Sequence, residues 1–212
     1  MTVYTCPTPS NNSAHWGPLD AARWKLVPEW MGGGKPYIRD FKTAWVQHNK
    51  NIIRNVATDF SLPPELLAGV CWIEVGGDPE FFDIAAYRKR AAYQRMGWED
   101  KPKVKTSFGQ VSMQLTTAAQ TLGLDTRAWK DLDYLNLARC LEIDVFNIAI
   151  VGKHLRQLAD HDGFTTIGFE EVRIIGARYN RGIHLSIEQI RNNTSYGDFI
   201  VNHWHMFTNM LW

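Results

Sequence analysis

The chain of 212 residues is 45% hydrophobic and 21% charged, the make-up of one soluble globular domain, alone or with an extension, and not of a disordered or fibrous chain. Twenty-three Lys and Arg against 22 Asp and Glu leave a formal charge of +1, so no global field draws it to nucleic acid or to an anionic membrane. Nine Trp beside ten Phe and seven Tyr supply many flat amphipathic faces, and no run of about eighteen apolar residues predicts a membrane span.

Residues 1–36 read as an irregular N-terminal arm. Pro7, Pro9, Ser10, Asn11, Asn12 and Ser13 open it without the basic and apolar regions of a Sec-type signal, and Gly32-Gly33-Gly34-Lys35-Pro36 closes it as a hinge or turn. That glycine run is not a phosphate loop, because Pro36 stands where Ser or Thr is needed. Residues 37–212 are expected to form the folded domain. Phe41, Trp45, His48, Ile52, Val56 and Phe60 recur at three or four residues and predict one helix of about five turns. Ser61-Leu62-Pro63-Pro64-Glu65 stops it and starts a second helix over 64–75, which Gly76-Gly77-Asp78-Pro79 ends. The segment 82–95 is rich in Ala and Arg, and 97–105 reads as a surface loop long enough for a lid. A long helix is expected over 135–159, shorter ones over 169–179, 186–191 and 198–210, and strands are scarce, so the fold class is mainly α.

Cys6, Cys71 and Cys140 are an odd set at wide spacing with no Cys-x-x-Cys, and are expected to be core thiols rather than a disulfide framework or a zinc site. His203 and His205 lie two apart, on different faces of a helix, with no acid or Cys nearby to complete a metal set; no metal or cofactor is expected. No Gly-x-Ser-x-Gly or His-Glu-x-x-His motif supports a peptidase or amidase. Glu74 closes the apolar run Leu66-Leu67-Ala68-Gly69-Val70-Cys71-Trp72-Ile73. A carboxylate beside that much apolar surface is expected to be desolvated and to hold a proton near neutrality, as a general acid must; the competing reading is a helix-end residue turned to solvent.

Three ordered segments resemble the lytic transglycosylases of the lysozyme-like superfamily, close in fold to goose-type lysozymes. Glu74-Val75-Gly76-Gly77-Asp78-Pro79 is similar to the family's segment holding the catalytic acid, Ser107-Phe108-Gly109-Gln110-Val111-Ser112 before Thr117-Ala118 to its Gly-x-x-Gln segment, and Ala177-Arg178-Tyr179-Asn180-Arg181-Gly182 to its Ala-x-Tyr-Asn-x-Gly segment. Asn147-Ile148 is similar to the family's Asn-Ile helix behind the site, where Asn147 would hold backbone. The sequence departs from the family at Ser112, where Gln is usual and Gln110 and Gln114 flank it, at Val75, where Ser is usual, and by some twenty extra residues over 84–105. Each residue has a plainer reading: Gly109 and Gly182 as turn formers, Tyr179 as a core aromatic, Asn180 as a cap.

The resemblance implies a lysozyme-like helical domain that cleaves the β-1,4 bond between N-acetylmuramic acid and N-acetylglucosamine in peptidoglycan. Glu74 would be the general acid and base, and the muramic acid's C6 hydroxyl would close a 1,6-anhydro ring. Ser107, Gly109, Gln110, Ser112, Gln114, Tyr179, Asn180 and, as a sugar-stacking ring in the insertion, Trp98 would bind substrate. The alternatives are a hydrolytic muramidase, with a second carboxylate from Asp78, Asp83, Glu99 or Asp100 activating water, and an inactive glycan-binding or structural module. The substrate lies outside the cytoplasmic membrane, so a chain made in the cytoplasm without a Sec signal would travel by another route. It would act in the periplasm or cell wall, as a type VI secreted antibacterial effector with a cognate immunity protein or as a phage lysin. The arm would then serve partner binding or delivery.

Overall fold

The structure is a computed structural model that describes residues 4–8, 15–76 and 106–212. The described residues are mainly helical: α1 Pro18–Leu26, a 3-10 turn Glu29–Met31, α2 Gly34–His48, α3 Lys50–Asp59, α4 Pro64–Glu74, the two short strands β1 Ser107–Phe108 and β2 Met113–Gln114, α5 Leu115–Thr121, α6 Asp131–Leu141, α7 Asp144–His161, α8 Phe169–Arg181, α9 Ile187–Arg191, α10 Ser195–Asn202 and α11 Trp204–Leu211. They fall into two compact units, Met1–Trp45 with Glu74–Ile150, and Val46–Ile73 with Val151–Trp212.

In the first unit the second half of the arm is largely helical, with α1 and the 3-10 turn where an irregular segment was expected. Pro18 opens α1 with its fixed φ, and the Gly17 N–H donates to Asp20 Oδ2 at 2.8 Å. Buried Trp16 gathers an aromatic cluster, its ring 6.2 Å from Trp24, 5.8 Å from Tyr37 and 4.7 Å from Phe41, and the Tyr37 hydroxyl donates to Asp20. The glycine run is a tight turn: Gly32 and Gly34 have φ 79° and 67°, and a Cβ on Gly33 would lie 2.2 Å from the Val27 carbonyl oxygen. Cys6 and Cys140 form a disulfide, their Cα atoms 5.3 Å apart, and Tyr4 packs on Phe146 at 6.1 Å. This corrects the expectation of core thiols for two of the three cysteines; an odd count excludes complete pairing, not a single bridge. Cys71 is buried and outside the disulfide.

Two helices expected to be continuous are broken. The stripe from Phe41 to Phe60 is interrupted at Asn49, which leaves helical geometry (φ −90°, ψ 8°) and whose carbonyl takes the Ile53 amide at 2.9 Å. The segment expected as one helix over 135–159 is α6 and α7, separated at Glu142 and Ile143, where a Cβ on Gly109 would lie 2.4 Å from the Leu141 carbonyl oxygen. The last expected helix also divides, at His203, whose Nδ1 lies 2.8 Å from the Phe199 carbonyl oxygen.

In the second unit α8 and α10 cross closely, because Gly176 and Gly197 have no side chain. A Cβ on Gly197 would lie 2.2 Å from the Arg173 carbonyl oxygen, and one on Gly176 2.7 Å from Gly197 Cα. Ile174, Ala177 and Ile190 form a buried cluster lined by Phe164 and Leu185. Gly152 faces Val56 and Phe60, and Gly69 faces Ile200 and Phe207. The Thr208 hydroxyl donates to Glu65 at the start of α4. No helix of the described residues is long and apolar enough to cross a membrane.

Candidate active site

The first unit holds Glu74, the 107–114 segment and Asn147; the second holds Tyr179 and Asn180. Glu74 is the last residue of α4, an apolar helix whose residues Leu66 to Cys71 are buried. Pro64 starts that helix and Gly76, at φ 78°, leaves it through the left-handed region, as the prolines and glycines of the sequence predict. A Cβ on Gly76 would meet Ile38 at 3.5 Å and Phe41 at 3.8 Å, so one face of α2 lies along the exit of α4. Glu74 is half-buried. Lys42, the residue after Phe41, is half-buried too: desolvation pushes its ammonium down to about 8, and the charge of Glu74 pulls it back up. The Lys42 ammonium therefore lies within the field of the Glu74 carboxyl. Lys42 is silent in the sequence, because a single lysine in an amphipathic helix carries no motif.

The Gly-x-x-Gln-like segment forms a hairpin. Ser107 pairs with Gln114 and Phe108 with Met113, antiparallel, and the Leu115 amide donates to the Thr106 carbonyl at 3.2 Å. Gly109 sits in the turn at φ 82°, and a Cβ there would also lie 2.8 Å from the Asn147 side chain, so only glycine fits. The fully buried Asn147 amide clamps the turn: its Oδ1 accepts the Val111 N–H at 2.8 Å and its Nδ2 donates to the Val111 carbonyl at 3.2 Å. The three polar side chains that the sequence left open separate by burial. Gln110 is buried, only 6% exposed, whereas Ser112 and Gln114 are exposed and Ser107 is half-buried. Ser112 and Gln114 can meet a ligand; Gln110 faces protein.

In the second unit, Tyr179 and Asn180 lie in the last turn of α8, which Gly182 ends at φ 85°. Arg178 beside them is buried and bidentate to Asp162, both bonds 2.7 Å, with a third bond to the Leu185 carbonyl at 2.8 Å. This strut fixes the helix end from which the next two side chains project. Tyr179 is half-buried, its ring edge-on to His154 at 5.8 Å and 6.0 Å from Tyr196. Burial pushes the His154 imidazole down to about 4, so it is neutral at pH 7. Asn180 is exposed and lines a pocket of about 300 Å³ with Trp72, Ile73, Ser195, Tyr196 and Phe199. Trp72 stacks on Phe199 at 5.5 Å, and Phe199 on His203 at 4.1 Å. An apolar, aromatic floor with an amide and a hydroxyl at its rim suits a small amphipathic group. The apolar run around Trp72 points to the core rather than to a pocket, and Ser195, Tyr196 and Phe199 come from a helix with no motif to single them out.

No family model, curated protein or solved structure matches this chain. Of the other candidate residues, Trp98, Asp78, Asp83, Glu99 and Asp100 lie outside the described residues. No group of three or more His, Cys, Asp and Glu that could hold a metal ion occurs among the described residues. Chemically, the first unit offers the half-buried carboxyl of Glu74 with a neighbouring cation and a turn bearing a hydroxyl and an amide. Proton transfer and hydrogen bonding to a polar substrate are within its means.

Proposed function

We propose that the protein degrades peptidoglycan, cleaving the β-1,4 bond between N-acetylmuramic acid and N-acetylglucosamine as a lytic transglycosylase with a lysozyme-like helical fold. The observation that carries this reading is the setting of Glu74: the acid of the motif set closes a buried apolar helix, half-exposed and with its own charge partner. The Asn147 clamp on the Val111 turn supports it, because an Asn behind the site is what the family resemblance implies.

In this reading the Glu74 carboxyl gives its proton to the glycosidic oxygen as the bond to muramic C1 breaks, leaving an oxocarbenium-like sugar. The muramic C6 hydroxyl then attacks C1, its proton passes to the Glu74 carboxylate, and the enzyme returns to its starting state. One carboxylate suffices for both transfers. Ser112 and Gln114 are exposed where they can bind sugar hydroxyl and acetamido groups, and Tyr179 and Asn180 supply further contacts. The partner is the glycan strand; a cognate immunity protein would block the same groups in the producing cell. The Cys6–Cys140 disulfide supports action in an oxidising compartment such as the periplasm of a target cell.

Digestion of purified sacculi followed by mass spectrometry tests the reading. Muropeptides ending in the 1,6-anhydro ring, one water lighter than hydrolytic products, are expected, and Glu74→Gln should abolish their release. Products with reducing ends only would reject the transglycosylase outcome, and undiminished lysis by Glu74→Gln would reject the role of Glu74.

A further inference from the structure

We propose that Lys42 is a positioning residue for Glu74: its ammonium, carried on α2, holds the Glu74 carboxylate at the end of α4 and supplies the positive charge that this carboxylate meets once it has given up its proton. The inference rests on the reading of Glu74 as the acid and base of the site.

Three observations place Lys42 there. The Ile38 and Phe41 side chains reach the position of a Gly76 Cβ at 3.5 and 3.8 Å, two residues beyond Glu74. Lys42 stands one residue after Phe41 and four after Ile38, so it shares the stretch of α2 that lies along the exit of α4. Second, α2 keeps its other charges, Lys35, Arg39 and Asp40, exposed, while Lys42 is half-buried. Burial is the larger influence on that ammonium and disfavours its charge, and among the described residues the field of Glu74 opposes it. Third, the last carbonyls of α4 point past Glu74 and make that helix end partly negative, a second reason for a cation to settle beside it. The hairpin 107–114 carries no charged residue that could take the role.

The consequence is mechanistic. A single carboxyl that acts first as acid and then as base must be held in one place in both protonation states. An ammonium beside it stabilises the carboxylate that exists between the two transfers, and restrains the side chain from swinging into solvent.

The experiment uses the full chain labelled with 13Cδ glutamate. The Glu74 signal is identified by its loss in Glu74→Gln and titrated in the wild type, Lys42→Met and Lys42→Arg, with turnover on sacculi measured alongside. Lys42→Met is expected to move the Glu74 midpoint up by about one unit and to lower turnover at least about tenfold with KM little changed. Lys42→Arg, which keeps the charge, should restore both to near the wild-type values. A Glu74 signal that titrates identically in Lys42→Met and wild type overturns the proposal, even if the variant is less stable, because a merely structural lysine would leave that signal in place. Lys42→Gln replaces the Met variant if the latter does not fold. If Glu74→Gln still lyses sacculi, the transglycosylase reading falls, and the titration separately decides whether Lys42 holds Glu74.

Discussion

Breaking the Cys6–Cys140 bridge is expected to cost much of the stability of the first unit. The bridge joins residues 134 apart in sequence, and the Tyr4 ring packs on Phe146 close to it. In the chain-entropy treatment a closed loop of that length removes about 17 cal/mol/K from the unfolded ensemble, or about 5 kcal/mol near 25 °C. For a chain of this size that corresponds to a fall in melting temperature of about 10 to 20 °C. Cys6→Ser isolates the effect, since Cys6 is exposed and its loss opens no cavity, while Cys140 stays in its buried position. The assay is differential scanning calorimetry of protein prepared under oxidising conditions, with and without a phosphine reductant, on wild type and Cys6→Ser. Reduction should lower the wild-type transition to that of Cys6→Ser and leave the variant where it is. Thiol titration of denatured, unreduced wild type should find one thiol, Cys71, against three after reduction. Three thiols before reduction, or a reductant effect of equal size in Cys6→Ser, would refute the reasoning.

The buried Asn147 and the half-buried His154 give further expected outcomes. Asn147→Leu leaves the backbone N–H and carbonyl of Val111 without this partner, a loss of about 2 to 4 kcal/mol in urea unfolding; hydrogen exchange of the Val111 amide should accelerate, and unchanged protection there would show that the clamp is not made. His154 has an imidazole pushed down to about 4 against an ordinary value of 6.5, so the unfolded chain binds a proton before the folded one does. Its contribution is complete above about pH 6.5 and is lost as the pH falls towards 4, by up to about 3 kcal/mol; His154→Gln should flatten that part of the stability profile, and an equal slope in variant and wild type would count against it.

Some of this fold was legible in the sequence because a single residue decides it. Pro64 and Gly76 bracket α4, and Gly182 ends α8, through backbone preferences that act locally. The helix breaks at Asn49 and at Glu142–Ile143 were not legible, since apolar spacing of three or four continues through both and neither carries Pro or Gly. At the end of α6 the Leu141 carbonyl stands against Gly109, thirty-two residues earlier in the chain, a neighbour that local spacing does not reveal. The Cys6–Cys140 pairing has the same character, because which thiols meet depends on how the arm folds back. α1 lies in the arm expected to be irregular, and its start uses Gly17 and Pro18 at the two positions of a helix start where Gly and Pro are tolerated. Lys42 and the pocket residues Ser195, Tyr196 and Phe199 belong to helices with ordinary patterns, so only their neighbours give them meaning.

The motif segments themselves carry two kinds of residue, and burial tells them apart. In 107–114 the fold consumes Phe108, Gly109, Gln110 and Val111, the first and last as core, Gly109 by the closeness of Leu141 and Asn147, while Ser112 and Gln114 remain at the surface. In 177–182 it consumes Ala177 and Arg178, the latter locked to Asp162, and leaves Asn180 exposed on the pocket rim. A sequence pattern weighs all of these alike, because a residue that shapes a turn and a residue that touches a ligand are equally restricted in type. Their chemistry differs. A consumed group such as Gln110 or Arg178 has already exchanged water for protein, and can offer a substrate nothing without first giving up a buried interaction. An exposed group exchanges water for ligand at little cost. The part of the motif set that reaches the surface is therefore smaller than the set: Glu74, Ser107, Ser112 and Gln114 in the first unit, and Tyr179 and Asn180 in the second.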